Sequence, residues 1–375
     1  MKITKFFSFM LAVAMFAVGC EKTPNSGDPE PNVPEASGTI TLTTNASAIE
    51  LGESITFTVL QEDKDVTAAA TIYITSTYTP VENPYTPETT GTFSFYATKG
   101  KESSEIVVVT VMASVPELVE DMFPESTAFN HRILLVDHTG TSCGNCPRVM
   151  EGLKAMAETD IHESYSEVCV HGGSFAPASS DKAYSEAAKV VDQFYKPSGY
   201  PNIRFNFYDG QGNIGSKTEF VRENTRAIQN LLNPEGAEAG ISIATSGDSS
   251  SVYVAYAVKA RVAQEYRVTA WLLENNINNP AQSGTSNPEF KIHHHALRNI
   301  AGNYSRNDLS GDSIGELAAG ETKEGTFKID VISNKWVVEN MEVLFIVSAQ
   351  NEQGRFEVVN TAVCPINTAV GFEYL

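Results

Sequence analysis

The sequence predicts a multidomain chain in which an α/β unit stands between two β-rich units. Residues 38–115 and 236–375 alternate apolar and polar side chains with a period of two, broken by turn residues. Residues 116–235 instead alternate short apolar runs with stretches of helical spacing, the pattern of strand and helix in succession. A length of 375 residues agrees, since a chain this long divides into two or three domains.

The first twenty residues read as an address. Lys2 and Lys5 precede an apolar run over residues 6–18, which ends in Ala17-Val18-Gly19-Cys20. The run is too short to span a bilayer and fits a signal segment over 1–20. Residues 21–37 carry Pro24, Pro29, Pro31 and Pro34 among polar and acidic residues, which favours an extended, solvated linker. No later stretch has the length and apolarity of a transmembrane helix, so the expected state is anchored rather than spanning.

Hydrophobic residues make up 42% of the chain, enough for packed cores. The formal net charge is -20, with acidic residues spread along the sequence. Nucleic acid requires clustered Lys and Arg, so that class of partner is excluded.

In residues 38–115, Ile40 and Leu42, Ile55, Phe57 and Val59, Ile72 and Ile74, and Phe93 and Phe95 mark strands, and residues 106–111 close as an apolar run. Turns fall at 51–53, 83–84 and 99–101, giving a small β-sandwich with a spacer or adhesive role. In residues 116–235, a strand over 132–137 runs into His138 and the loop before Cys143. Val149, Leu153 and Met156 lie at helical spacing. A strand at 168–170, a helix over 181–195 and a strand over 202–208 follow. Ser216-Lys217-Thr218-Glu219 is a capping-box sequence opening a helix that ends near Asn233-Pro234. The C-terminal β-domain has its clearest strands at 251–262, 266–274, 322–332 and 341–349, and residues 275–287 read as a long polar loop.

Besides Cys20, the cysteines are Cys143, Cys146, Cys169 and Cys364. Two intervening residues let the sulfurs of Cys143 and Cys146 meet across one helical turn. At a helix N-terminus the macrodipole and free N–H groups stabilise a thiolate on the first cysteine. Cys143 would then attack a substrate disulfide and Cys146 would resolve the mixed disulfide. Pro147 sits early in the helix, where a missing N–H costs little. A zinc site needs two more ligands, and no second Cys-X-X-Cys or Cys-X-X-His is present. Neither a metal nor a cofactor is expected. His293-His294-His295 could donate one or two ligands, but adjacent strand residues point to opposite faces; one or two facing a domain interior and the third solvated is the expectation. An inert disulfide staple stays open as a rival. Cys169 and Cys364 are buried thiols or a second disulfide, and their spacing does not choose. His171 and His138 are candidates to assist proton transfer or hold the thiolate, against ordinary structural roles.

Several resemblances add to this. The small residues before Cys20 resemble a bacterial lipobox, although Leu is commoner where Ala17 stands; this implies acylation of Cys20 and a lipid anchor. The first β-unit resembles an immunoglobulin-like module. Val136-Asp137-His138-Thr139-Gly140-Thr141-Ser142-Cys143-Gly144-Asn145-Cys146 resembles the thioredoxin active-site strand and loop. That resemblance implies that Asp137, six residues before Cys143, accepts the proton of Cys146. It also implies that Tyr200-Pro201 forms the cis-proline turn that holds a substrate chain. Ser142 and Pro147 depart from the family's aromatic and basic residues, which leaves potential and partner choice open. The loop 139–147, with Val170-His171-Gly172-Gly173, Gly199-Tyr200-Pro201 and His295-Ala296-Leu297-Arg298, resembles the outer membrane protein 28-related family of surface lipoproteins over about 130–375.

The expected architecture is therefore a signal peptide (1–20), a proline-rich linker (21–37), an immunoglobulin-like β-sandwich (38–115), a thioredoxin-like α/β domain (116–235) and a C-terminal β-sandwich (236–375). Two functions are expected alternatives. One is thiol–disulfide exchange on exported proteins by an outer-membrane, lipid-anchored protein. The other is a non-catalytic binding or structural lipoprotein whose cysteine pair is a staple and whose partners lie at the surface.

Overall fold

A computed structural model describes residues 40–208 and 210–375. The expected signal segment (1–20) with Cys20, and the expected linker (21–37), lie outside the described residues. The described residues are mostly β-sheet, divided among several sheets, with three α-helices among them. No helix among the described residues is long and apolar enough to cross a membrane.

The N-terminal unit pairs a three-stranded sheet with a six-stranded one. Alternation explains the pairing. In Ile40–Thr44 the buried residues are Ile40 and Leu42, and in Val107–Met112 they are Val109 and Val111. These side chains meet Phe57, Val59 and Phe95 in one core. Thr90 Oγ1 donates to the Gly247 carbonyl, and Ala113 N–H donates to Asp248, so this unit is tied to the C-terminal strands.

The next elements are β1 (Ile133–Thr139), α1 (Cys146–Ala157), β2 (Tyr165–His171), α2 (Glu186–Tyr195), β3 (Asn202–Phe205) and α3 (Lys217–Leu231). The capping box opens α3, where Ser216 N–H donates to Glu219 Oε2 at 3.1 Å. The helix expected over 181–195 begins later, at its N-cap Ser185, whose Oγ accepts from Ala188 N–H. The carboxylate of Asp181 is engaged elsewhere, by Thr141 N–H and His171 Nδ1. That engagement holds residues 181–184 out of the helix.

The longer strands that follow are β4 (Ala239–Gly247), β5 (Ser251–Ala260), β6 (Gln264–Glu274), β7 (Ala296–Ala301), β8 (Asp312–Leu317), β9 (Thr322–Asp330) and β10 (Met341–Gln350). The last of them is β11 (Phe356–Pro365). One eight-stranded sheet has the order β3-β1-β2-β7-β6-β10-β11, with β8 on β6. The expected division at 235/236 therefore falls inside a shared sheet: β2 runs parallel to β7 at Cys169 and Ala296, and Cys169 N–H donates to the His295 carbonyl. A second sheet, β9-β5-β4 with Ala369–Val370, packs on the C-terminal half.

Side-chain alternation fixes the layers. Along β6, Trp271 and Leu273 join the core beneath α2, whereas Ala270 and Leu272 face the second sheet. Along β1, Leu134 and Val136 join the α2 core, whereas Ile133 and Leu135 pack against α1 and α3. Burial on both faces is why β1 reads as a continuous apolar run.

Candidate functional site

The α1-facing row of β1 is Ile133, Leu135, Asp137 and Thr139, so the row turns from apolar to polar toward the end that feeds the cysteine loop. Beyond it, Cys143 and Cys146 form a disulfide with an S–S distance of 2.05 Å, and Cys146 is the first residue of α1. Pro147 lies in the first turn, as its missing N–H allows. Cys143 is 2% exposed and Cys146 1%.

Two segments flank the disulfide. On one side, Ser142 N–H donates to the Phe175 carbonyl at 2.9 Å. Gly140 sits so close to that carbonyl that a Cβ there would strike it. Phe175 packs on Tyr200, with ring centroids 5.2 Å apart, and Tyr200-Pro201 is a cis peptide. The cysteine loop and the cis-proline turn are thus joined through residues 173–175.

On the other side, the polar loop after β6 forms a strap. Ile277–Asn278 pairs with Ile292–His293, which closes the strap at its base. Ser283 N–H donates to the Thr141 carbonyl at 2.8 Å, and Gln282 Nε2 donates to the Cys143 carbonyl at 3.1 Å. Gly284 lies directly on Gly144, with no room for a side chain between them. Asn279 Nδ2 donates to Thr141 Oγ1 and to Asp181 Oδ1. The strap replaces solvent over the cysteine loop, and polar residues line its inner side because backbone carbonyls there need donors.

Asp137 is almost wholly buried, and its Oδ1 has no hydrogen-bond partner among the described residues. Burial, reinforced by the charge of Glu167, raises its pKa well above the ordinary carboxyl value. Cys169 Sγ lies 3.5 Å from Glu167 Oε1 and 4.0 Å from Asp137 Oδ2. Burial and the two acids push this thiol well above its ordinary range, so Cys169 is a poor nucleophile. Cys169 and Cys364 are both free thiols, which settles their pairing.

The histidines divide. His138 does not reach the disulfide by any hydrogen bond; its Nδ1 meets Asp192 Oδ1 at 3.0 Å, and burial lowers its pKa. His171 is fully buried with its Nδ1 2.9 Å from Asp181 Oδ2. His293 packs edge-on against His171 at 4.8 Å, and burial depresses its pKa to about 3. His294 is exposed, and His295 Nδ1 meets Glu342 Oε1 at 2.6 Å. Among the described residues, no group of three or more His, Cys, Asp or Glu is arranged to hold a metal ion.

The structure thus brings together Cys143, Cys146 and, through residues 173–175, the Pro201 turn; Asp137 lies on the strand below. Sequence reasoning missed Asn279, Gln282 and Ser283, which carry no motif and no apolar periodicity.

No protein-family model matches the chain, and no curated protein matches it. Among solved structures, HBP35 of Porphyromonas gingivalis is similar at 18% identity and a TM-score of 0.49, over 64% of this chain and 77% of that one. A β-glucosidase from Kluyveromyces marxianus is similar at 13% identity and a TM-score of 0.20, over 36% of this chain and 15% of that one. β-glucosidase 3B from Thermotoga neapolitana is similar at 17% identity and a TM-score of 0.20, over 36% of this chain and 17% of that one. These are distant likenesses and carry no argument about activity.

Proposed function

We propose that this chain is a lipid-anchored envelope protein of the outer membrane protein 28-related kind, in which a thioredoxin-like unit exchanges thiols and disulfides on exported proteins. The observation that carries the reading is a disulfide at the head of α1 on a strand whose α1-facing side holds a fully buried, half-unpartnered carboxyl, Asp137. A staple needs no such carboxyl, because burying one without partners is unfavourable. The succession of β1, α1, β2, α2, a cis-proline turn and β3 supports the thioredoxin-like assignment.

In the reduced protein, the Cys143 thiolate attacks one sulfur of a substrate disulfide, and the other substrate sulfur leaves as a thiolate. Cys146 then gives its proton toward Asp137, whose proton affinity burial raises well above that of an ordinary carboxylate, and attacks Cys143 Sγ. The substrate's second thiolate departs. The substrate is reduced by two electrons and the Cys143–Cys146 disulfide forms. The reverse sequence oxidises a dithiol substrate. Either direction requires the strap over residues 282–284 to move aside.

A second reading, a binding or structural lipoprotein with an inert staple, is favoured by the same strap. Both sulfurs are covered, and Gln282, Ser283 and Gly284 hold the loop closed. The pair's reduction potential, with the pH dependence of Cys143 alkylation in the reduced protein, separates the two. Exchange predicts a Cys143 pKa well below about 8.5 and a potential between roughly -270 and -120 mV. A normal thiol, or a potential below about -300 mV, leaves the staple.

A further inference from the structure

Where the β1 row turns polar, α1 does not close onto the sheet. A cavity of about 280 Å³ remains between α1, β2 and the outgoing arm of the strap. Leu153 and Met150 form its helix wall, and Phe290 and Ile292 form its strap wall. Its inner end is different. Asp137 Oδ1, Thr139 Oγ1 and His293 Nε2 are buried there with no hydrogen-bond partner among the described residues, and none of the three residues is more than 2% exposed. Buried polar groups are ordinarily satisfied, so three orphaned atoms around one cavity mark a place where a polar ligand group belongs.

The charges around the cavity select its sign. Asp137 approaches Cys169 from the neighbouring strand β1, and Glu167 approaches it from two residues earlier on β2. Lys154 at the rim is already paired with Glu289, and His295 with Glu342. Among the described residues, no cation lining the cavity is left over to receive an anion. We propose that this cavity binds a small organic cation with an apolar body, a primary amine or amidine on an aromatic or short alkyl group. Its charged head lies among Asp137, Thr139 and Glu167, where it offsets the burial that otherwise favours the protonated Asp137 carboxyl, and its body lies between Leu153 and Phe290. The volume suits a fragment-sized ligand, at the lower end of ordinary binding pockets. Phe290 and Ile292 belong to the strap, so an occupied cavity also holds the strap in place.

The test uses the oxidised protein and three probes of one shape: 2-phenylethylamine, 2-phenylethanol and phenylacetate. Binding is read by calorimetry and by chemical shifts of the α1 amides, so the result neither needs nor tests disulfide exchange. The amine is expected to bind saturably at one site, about tenfold or more tighter than the alcohol, through charge-assisted hydrogen bonds. Phenylacetate is expected not to bind. Asp137→Asn removes the preference for the amine over the alcohol. Leu153→Trp fills the cavity and abolishes both; Ala157→Trp at the rim does the same should the first variant fail to fold. The proposal is overturned by no saturable binding of the amine, by equal binding of amine and alcohol, by binding of phenylacetate, or by binding that survives both tryptophan substitutions.

Discussion

Gln282 Nε2 donates to the backbone carbonyl of Cys143 at 3.1 Å, across 139 positions of sequence. Together with the Gly284 contact on Gly144, this bond decides how the disulfide meets solvent. A buried neutral hydrogen bond contributes about 1 kcal/mol, so Gln282→Ala shifts strap opening by roughly fivefold. The rate at which a small phosphine reduces the Cys143–Cys146 disulfide is expected to rise by that factor. Gly284→Ala, at a φ of +79° and against the Gly144 carbonyl, is expected to raise it further. Unchanged rates in both variants would show that the strap does not control access.

Asp137→Asn is expected to stabilise the fold, increasingly so as pH rises. The folded pKa of Asp137 lies above its unfolded value, so the wild type loses stability as pH rises from the unfolded pKa toward the folded one. Across that window the loss is at most about 1.4 kcal/mol per pH unit. Urea unfolding at pH 5 and pH 8 checks this, and a variant less stable than wild type at pH 8 contradicts it.

The His295–Glu342 pair gives a slope of the same sign over its own pH window. Burial alone would lower the His295 pKa, but the hydrogen bond to Glu342 and the charges of Glu167 and Glu342 carry it up to about 9. Its contribution is therefore complete below the unfolded histidine value of about 6.5 and is lost as pH rises through about 9. Thermal melts from pH 6 to 10 should show this loss, and His295→Asn should flatten it. Asparagine is the suitable replacement because His295 has a φ of +52°, a region asparagine tolerates.

Arg298 on β7 donates from Nε to Glu274 Oε2 on β6 at 2.6 Å, with both side chains almost fully buried. It also donates to the carbonyls of Lys182 and Tyr184, tying the sheet to the approach of α2. Arg298→Met strands the Glu274 carboxylate and is expected to cost about 3–5 kcal/mol. Adding Glu274→Gln should recover part of that loss. Equal unfolding midpoints for wild type and Arg298→Met would show that the pair contributes nothing.

How much of this was legible in the sequence depended on the range of the interaction. The spacing of Val149, Leu153 and Met156 gave α1, and Ser216 with Glu219 gave the start of α3, because both signals act within one helical turn. The cysteine pair was readable for the same reason. Asp181 was misplaced into a helix because its partners, Thr141 and His171, lie far back along the chain. Residues 275–287 read as a solvated loop because Asn, Gln, Ser and Gly are ordinary loop residues. Burial of Asn279 and Gln282 follows only once the carbonyls and side chains they serve are in place. The pairing of β2 with β7 rests on a crossover that no local pattern announces.

The shared sheet also orders events in time. Within the unit that carries the disulfide, Ser166 Oγ bonds Thr361 Oγ1, and Arg132 N–H donates to Asn360 Oδ1. Asn130 N–H donates to the Glu373 carbonyl. These partners leave the ribosome well after residues 133–146, so the strand bearing Asp137 and the loop bearing Cys143 wait for residues 356–375 before their surroundings are complete. During that interval the two cysteines are uncovered, because the strap that shields them is also synthesised later. Pairing of Cys143 with Cys146 is therefore least hindered before the strap and the closing strand have docked.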